Sequence, residues 1–158
     1  MKTRHCYLFT LEVEPLEVGK FYDKLPLHCT LMPRFWSSLS PKELADNVRK
    51  LFDETSPGTL AAYERTLLGP KQVAASLIKL TRELDTLNMQ LYQLLNKLGV
   101  EYMNPQWVGK GHVFHVTEQE HARLEVGGVH ISKAIYLIEV EVPGRKHKRI
   151  AQEKFELG

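Results

Sequence analysis

The sequence predicts an α+β fold made of two similar halves, each pairing one amphipathic helix with a strand that carries a His-x-Thr tripeptide. Three observations predict it. Two segments have the 3.6-residue apolar period of helices, the other apolar runs are short and β-prone, and His28-Cys29-Thr30 and His115-Val116-Thr117 fall one in each half.

Residues Cys6 to Glu14 are apolar and β-prone, and Leu25 to Phe35 form a second extended run with Pro26 and Pro33 near its ends, where proline is tolerated. Ser40-Pro41-Lys42-Glu43 supplies an N-cap, a proline at the first helical position and a capping-box glutamate. Leu44, Val48, Leu51 and Phe52 then keep the helical period, which predicts a helix from about Pro41 to Glu54. Ser56-Pro57-Gly58 marks a turn, Thr59 to Leu68 a strand, Gly69-Pro70 another turn and Gln72 to Leu80 another strand. From Arg82, the stripe Leu84, Leu87, Leu91, Leu94, Leu95 and Leu98 makes the longest helix, and Gly99 sits where a left-handed C-terminal cap is wanted. The polar stretch Asn104 to Gly111 leads into a strand from His112 to Glu118. Gly127-Gly128 opens a long strand from Val129 to Val142, Pro143-Gly144 turns the chain, and a closing strand lies near Lys154 to Leu157. The repeated order of elements suggests an internal duplication, and 158 residues fit a single domain, 1–158.

Composition narrows the class of function. The net charge of +2 gives no bulk drive toward nucleic acid, so any phosphate affinity must be local. Cys6 and Cys29 are too few for a disulfide framework and fit no metal-ligand spacing, which points to reduced, packed thiols and a cytoplasmic location. The segment Met1 to His5 runs straight into a strand pattern, and no apolar window approaches the ~18 residues of a membrane span. No membrane association, cofactor or metal is expected, and no obligate protein partner is inferred.

The chemistry rests on strand alternation. Side chains two apart share a face, so His28 and Thr30 look the same way, as do His115 and Thr117. Two such strands across a cleft give two imidazoles and two hydroxyls around one pocket. One imidazole can take a proton from an attacking oxygen, the other can protonate a leaving oxygen, and the hydroxyls can donate to non-bridging phosphoryl oxygens. Histidine suits both roles near neutral pH.

The tripeptide alone is weak evidence: 7 His and 15 Ser plus Thr give roughly 0.7 chance matches, and His130-Ile131-Ser132 also fits. Threonine in both copies, the apolar lead-ins Leu25, Leu27, Val113 and Phe114, and placement in predicted strands favour the first two. The segment around His130 reads as structural.

Leu27-His28-Cys29-Thr30-Leu31 and Phe114-His115-Val116-Thr117 resemble the paired signatures of the two-histidine phosphoesterase superfamily, which includes cyclic phosphodiesterases and 2′-5′ RNA ligase-like proteins. The resemblance extends to motif separation, the flanking helices and the closing strand. It implies a bilobal, pseudo-twofold fold whose antiparallel sheets line a central cleft, with two interleaved lobes. It also implies metal-independent opening or making of 2′,5′ or 2′,3′ phosphodiester linkages, with His28 and His115 catalytic and Thr30 and Thr117 orienting the phosphate. Glu118 departs from the pattern, which usually has an apolar residue there; it is expected at a solvent-exposed strand end, on the face opposite Thr117.

Other residues have weaker claims. Arg34, Trp107 and Lys110 are candidate substrate contacts, with Trp107 in a loop that could form a lid. Trp36, Tyr102 and Phe114 could stack on a base but fit ordinary packing. His112 is expected at an edge or facing a loop, and His5, His121 and His147 on the surface. Arg145 to Arg149 is expected as a solvated hairpin. The sequence therefore predicts a phosphodiesterase acting on 2′,3′-cyclic or 2′-5′ linkages of a nucleotide or an RNA end. The alternatives are a non-catalytic nucleotide or RNA-end binding module and 2′-5′ RNA ligase activity.

Overall fold

The computed structural model describes residues 4–142 and 144–158, with the backbone alone for 145–147. Met1 to Thr3, the Pro143 turn position and the side chain of His147 lie outside the described residues.

The elements in chain order are β1 (His5–Glu12), β2 (Phe21–Tyr22), β3 (His28–Ser37), α1 (Pro41–Asp53), β4 (Gly58–Leu68), β5 (Val73–Ile78), α2 (Arg82–Lys97) and β6 (Glu101–Tyr102). Two 3-10 turns, Pro105–Trp107 and Gly109–Gly111, follow, then β7 (His115–Thr117), β8 (Val129–Ser132), β9 (Ala134–Val142) and β10 (Arg145–Glu156). The strands form one curled antiparallel sheet in the order β2-β10-β9-β1-β3-β7-β5-β4-β8, and β6 pairs with β3 beside β7. The α+β, two-lobed arrangement with one main helix per half is as the sequence predicts.

Both helices begin where their caps dictate. The Ser40 hydroxyl accepts from the Glu43 N–H at 3.2 Å while the Glu43 carboxylate takes the Ser40 N–H at 3.1 Å, and Pro41 occupies the first turn. Thr81 caps α2 through Leu84 N–H at 3.1 Å, and the helix stops before Gly99, whose φ of +72° suits glycine. Leu44, Val48 and Phe52 of α1 and Leu84, Leu87, Leu91 and Leu95 of α2 bury their stripes against one face of the sheet, meeting Tyr7, Phe9, Leu11, Cys29, Leu31 and Val116. On the helix-free face Cys6, Leu8, Tyr136, Ile138 and Val140 form a smaller core.

The run from Val129 to Val142 is not one strand. β8 pairs with β4, whereas β9, beginning one residue later, pairs with β1 and β10. The chain passes at Lys133 from one end of the sheet path to the third strand from the other end. Periodicity could not show this, because both pieces keep β character. β10 is one bulged strand through Glu156 rather than a hairpin arm and a separate closing strand. The predicted strand from His112 shrinks to His115–Thr117, because the preceding residues are held by the 3-10 turns.

Candidate active site

Cys29 of β3 lies opposite Val116 of β7 in an antiparallel pair. That register sets His28 opposite Thr117 and Thr30 opposite His115. Cys29 and Val116 are fully buried toward the helices, so the four flanking side chains project together from the helix-free face. Directly opposed side chains have Cβ atoms about 5 Å apart. The two tripeptides thus meet on adjacent strands.

The imidazoles are held alike. His28 Nδ1–H donates to the Pro26 carbonyl at 2.8 Å, and His115 Nδ1–H donates to the Val113 carbonyl at 2.9 Å. A carbonyl only accepts, so Nδ1 carries the proton in each ring and Nε2 is left for chemistry. The lead-in to His28 is pinned by Glu14, whose carboxylate takes the Leu27 N–H at 2.8 Å and the His121 ring at 2.8 Å. Burial first, and then the charges of His115 and Arg149, hold His28 below its ordinary pKa, against the pull of the Pro26 carbonyl. Its neutral, basic form is favoured.

Beside the motifs is a cleft of about 470 Å³, lined by Leu8, Thr30, Pro33, Arg34, Leu68, Gly69, Pro70, Asn104, Trp107, His112, Val113 and His115. It lies along the edge of β3 between its pairings with β7 and β6. There, where no strand partner reaches, His112 Nε2–H donates to the Thr30 carbonyl at 2.8 Å. The same ring faces the Trp107 carbonyl and packs edge-on against Phe114 at 4.5 Å. His112 thereby ties β3 to the loop that bears Trp107.

That loop is anchored. Asn88 Nδ2 donates to the Gly109 carbonyl at 2.9 Å, Gly109 has φ +60° against the Tyr92 ring, and a Cβ at Gly111 would meet the Gln106 carbonyl at 2.1 Å. Trp107 is 56% exposed on the cleft wall. Of the other candidate contacts, Arg34 lines the cleft, while Lys110 is exposed and does not. Phe114 is core, Trp36 packs beneath the Arg4 guanidinium, and Tyr102 hydrogen-bonds Asn96.

Several expectations are corrected. Glu118 is not a free strand end: its side chain is 17% exposed and held by the Arg65 guanidinium, which lowers its pKa. His5 is no lone surface residue, since it bonds the buried Glu139 carboxylate at 2.8 Å and stacks on Tyr7. His121 is exposed but paired with Glu14. His130 and Ser132, by contrast, are on a structural strand as expected, β8, three strands beyond β7. Arg149, read as part of a solvated run, is half-buried, and it lies opposite Val140, which packs on the helix-free face.

The structure also brings in residues outside the two tripeptides. Glu12 lies opposite His28 on β1, and its carboxylate accepts from the Tyr136 hydroxyl, with Lys154 Nζ 4.0 Å away. Thr10, opposite Thr30, is fully buried with an unpartnered hydroxyl. A signal existed: Thr10 and Glu12 interrupt the apolar first strand two residues apart, hence on one face.

Solved structures with this architecture share the whole chain. The crystal structure of E. coli LigT complexed with 3′-AMP matches with a TM-score of 0.65 at 14% identity, over 98% of this chain and 99% of that one. This chain has the LigT fold. A crystallised phosphoesterase matches at 0.61 with 14% identity over 98% and 99% of the two chains, and LigT complexed with NADP+ at 0.58 with 14% identity over 97% of each. No protein-family model and no curated protein matches the sequence. Members of the LigT fold are thus recognised here through topology while identity is low. No helix among the described residues is long and apolar enough to cross a membrane.

Proposed function

We propose that the chain is a metal-independent phosphodiesterase that opens 2′,3′-cyclic or 2′-5′ phosphodiester linkages of a nucleotide or an RNA end. The observation that carries this reading is the pairing of His28 with Thr117 and Thr30 with His115 on adjacent strands, with both Nε2 atoms freed by Nδ1 bonds to main-chain carbonyls.

In hydrolysis, neutral His28 takes a proton from a water whose oxygen attacks phosphorus. Protonated His115 gives its proton to the departing ribose oxygen as the P–O bond breaks, and the product is a phosphomonoester beside a free hydroxyl. The base role goes to His28 because burial and its cationic neighbours favour the neutral ring. Thr30 and Thr117 donate hydrogen bonds to the non-bridging oxygens as charge builds there. Exposed Trp107, with Pro33, Pro70 and Val113, offers an apolar wall for a nucleobase. Neighbours of the same fold carry nucleotides, 3′-AMP in one crystal and NADP+ in another, which supports a nucleotide in this cleft. Ligation of a 5′-hydroxyl to a 2′,3′-cyclic end is the same chemistry with the attacking water replaced.

The test is turnover of a 2′,3′-cyclic nucleotide with excess chelator, followed by phosphorus NMR. The expected result is a monophosphate, with His28→Ala and His115→Ala each slowing the reaction by about two to four orders of magnitude. Undiminished turnover in either variant rules the assignment out. Nucleotide binding without turnover would mark a binding module instead.

A further inference from the structure

Two guanidinium groups on the site face lack acidic partners. Arg34 lines the cleft beside Thr30 and His115. Arg149 projects from β10 on the helix-free face, opposite Val140, and uses one guanidinium nitrogen to donate to the Asp23 main-chain carbonyl at 2.9 Å. The Asp23 carboxylate itself is taken by Lys148. Among the described residues no carboxylate lies within ion-pair distance of Arg34 or Arg149, and residues 1–3, 143 and 145–147 include no Asp or Glu.

The two cations feel each other and the catalytic centre. Burial and the Arg34 charge both pull the Arg149 pKa down, only partly offset by Glu141, and the Arg149 charge in turn disfavours protonation of His28. The register agrees: Arg149, Val140, Cys6 and Trp36 form one row across β10, β9, β1 and β3 on the helix-free face, with Arg34 two residues from Trp36 and lining the cleft. Two half-desolvated like charges that Glu141 only partly compensates are unfavourable alone, and an anion placed between them relieves the repulsion. The phosphoryl group under attack already has two imidazoles and two threonines. A guanidinium fork, moreover, fits a phosphate oxygen pair.

We propose that Arg34 and Arg149 form a second anion subsite, which takes a phosphate of the substrate other than the one attacked. Resting on the phosphodiesterase reading, this makes the preferred substrate a nucleotide with phosphates on both sides of one ribose: a 2′,3′-cyclic phosphate that also carries a phosphate at the 5′ position. A free nucleotide supplies that group as a monoester and an RNA end as a diester.

The experiment compares kcat/KM for three 2′,3′-cyclic substrates: one with a 5′-hydroxyl, one with a 5′-phosphomonoester, and a dinucleotide whose 5′ phosphate is a diester. The expected result is a preference of about 10- to 100-fold for at least one 5′-phosphorylated form; which form leads tells nucleotide from RNA end. Arg149→Gln and Arg34→Gln should each pull that ratio toward one, and Arg149→Lys, which keeps charge and fold, should retain part of it. A ratio near one in the wild type, or an unchanged ratio in both glutamine variants, overturns the proposal. Calorimetry with adenosine 3′-phosphate against adenosine 3′,5′-bisphosphate reads the subsite without turnover. If no substrate is cleaved yet the bisphosphate binds tighter in an Arg149-dependent way, the phosphodiesterase reading fails and the subsite stands; equal binding removes the subsite alone.

Discussion

His28 and His115 each donate Nδ1–H to the carbonyl of the residue two before it, Pro26 in one strand and Val113 in the other. The two halves thus repeat down to a single hydrogen bond, although the roles proposed for the two imidazoles differ. The asymmetry comes from the surroundings: on β1 His28 faces Glu12, and Arg149 stands within electrostatic reach of it.

The threonine hydroxyls are expected to act on the charged transition state more than on the bound substrate. Thr30→Val and Thr117→Val keep the strand and remove one donor each, so kcat should fall by about two orders of magnitude while KM changes less. Steady-state kinetics on a cyclic nucleotide checks this, and an effect confined to KM contradicts it.

Stability should decline with acid through the half-buried imidazoles of His28 and His112. Burial is the first cause that holds both His28 and His112 below their ordinary value of 6.5, so the unfolded chain binds more protons than the folded one as pH falls below that value. Their contribution is complete above it and is lost as pH drops through the lowered folded values. Melting temperatures taken near pH 7.5 and near pH 5.5 should differ in that direction, and the difference should narrow in His112→Gln.

His112→Phe is expected to fill the space but leave the Thr30 carbonyl without its donor. An unsatisfied buried acceptor costs about 1–3 kcal/mol, so the melting temperature should fall by several degrees. Catalysis should fall too, because Thr30 and the Trp107 loop lose their common tie. Calorimetry together with kcat on the same variant tests both halves of the claim.

Gly111→Ala should dismantle the second 3-10 turn, since the added methyl group would meet the Gln106 carbonyl oxygen. Fluorescence from Trp107, read against Trp36 as an internal reference, should shift while far-ultraviolet circular dichroism stays close to wild type. A folded variant with an unaltered Trp107 signal is the contrary result.

Much of this arrangement was legible in the residue order. The Ser40 and Thr81 caps, the leucine stripe of α2 and the same-face rule for His-x-Thr needed only local rules, and all of them appear in the structure. What escaped is non-local. No periodicity tells that β8 and β9 belong to different parts of the sheet, and no motif links Arg149 to His28 across β10, β9, β1 and β3. Likewise the charge run at Arg145–Arg149 gave no sign that its last member turns inward. The Glu118 position shows the same limit: an exposed end and an Arg65-bound carboxylate look alike until β4 is set beside it.

The seam between the halves has a mechanical consequence. β3 and β7 share a single ladder pair, Cys29 with Val116, and the proposed acid and base stand diagonally across it. Between β8 and β9 the chain passes from one side of this seam to the other at Lys133. The proposed proton donor and acceptor are thus mounted on two strands joined by one rung of a β-ladder. The angle between these two strands therefore sets the reach between the two Nε2 atoms, the distance on which the proposed proton transfer depends.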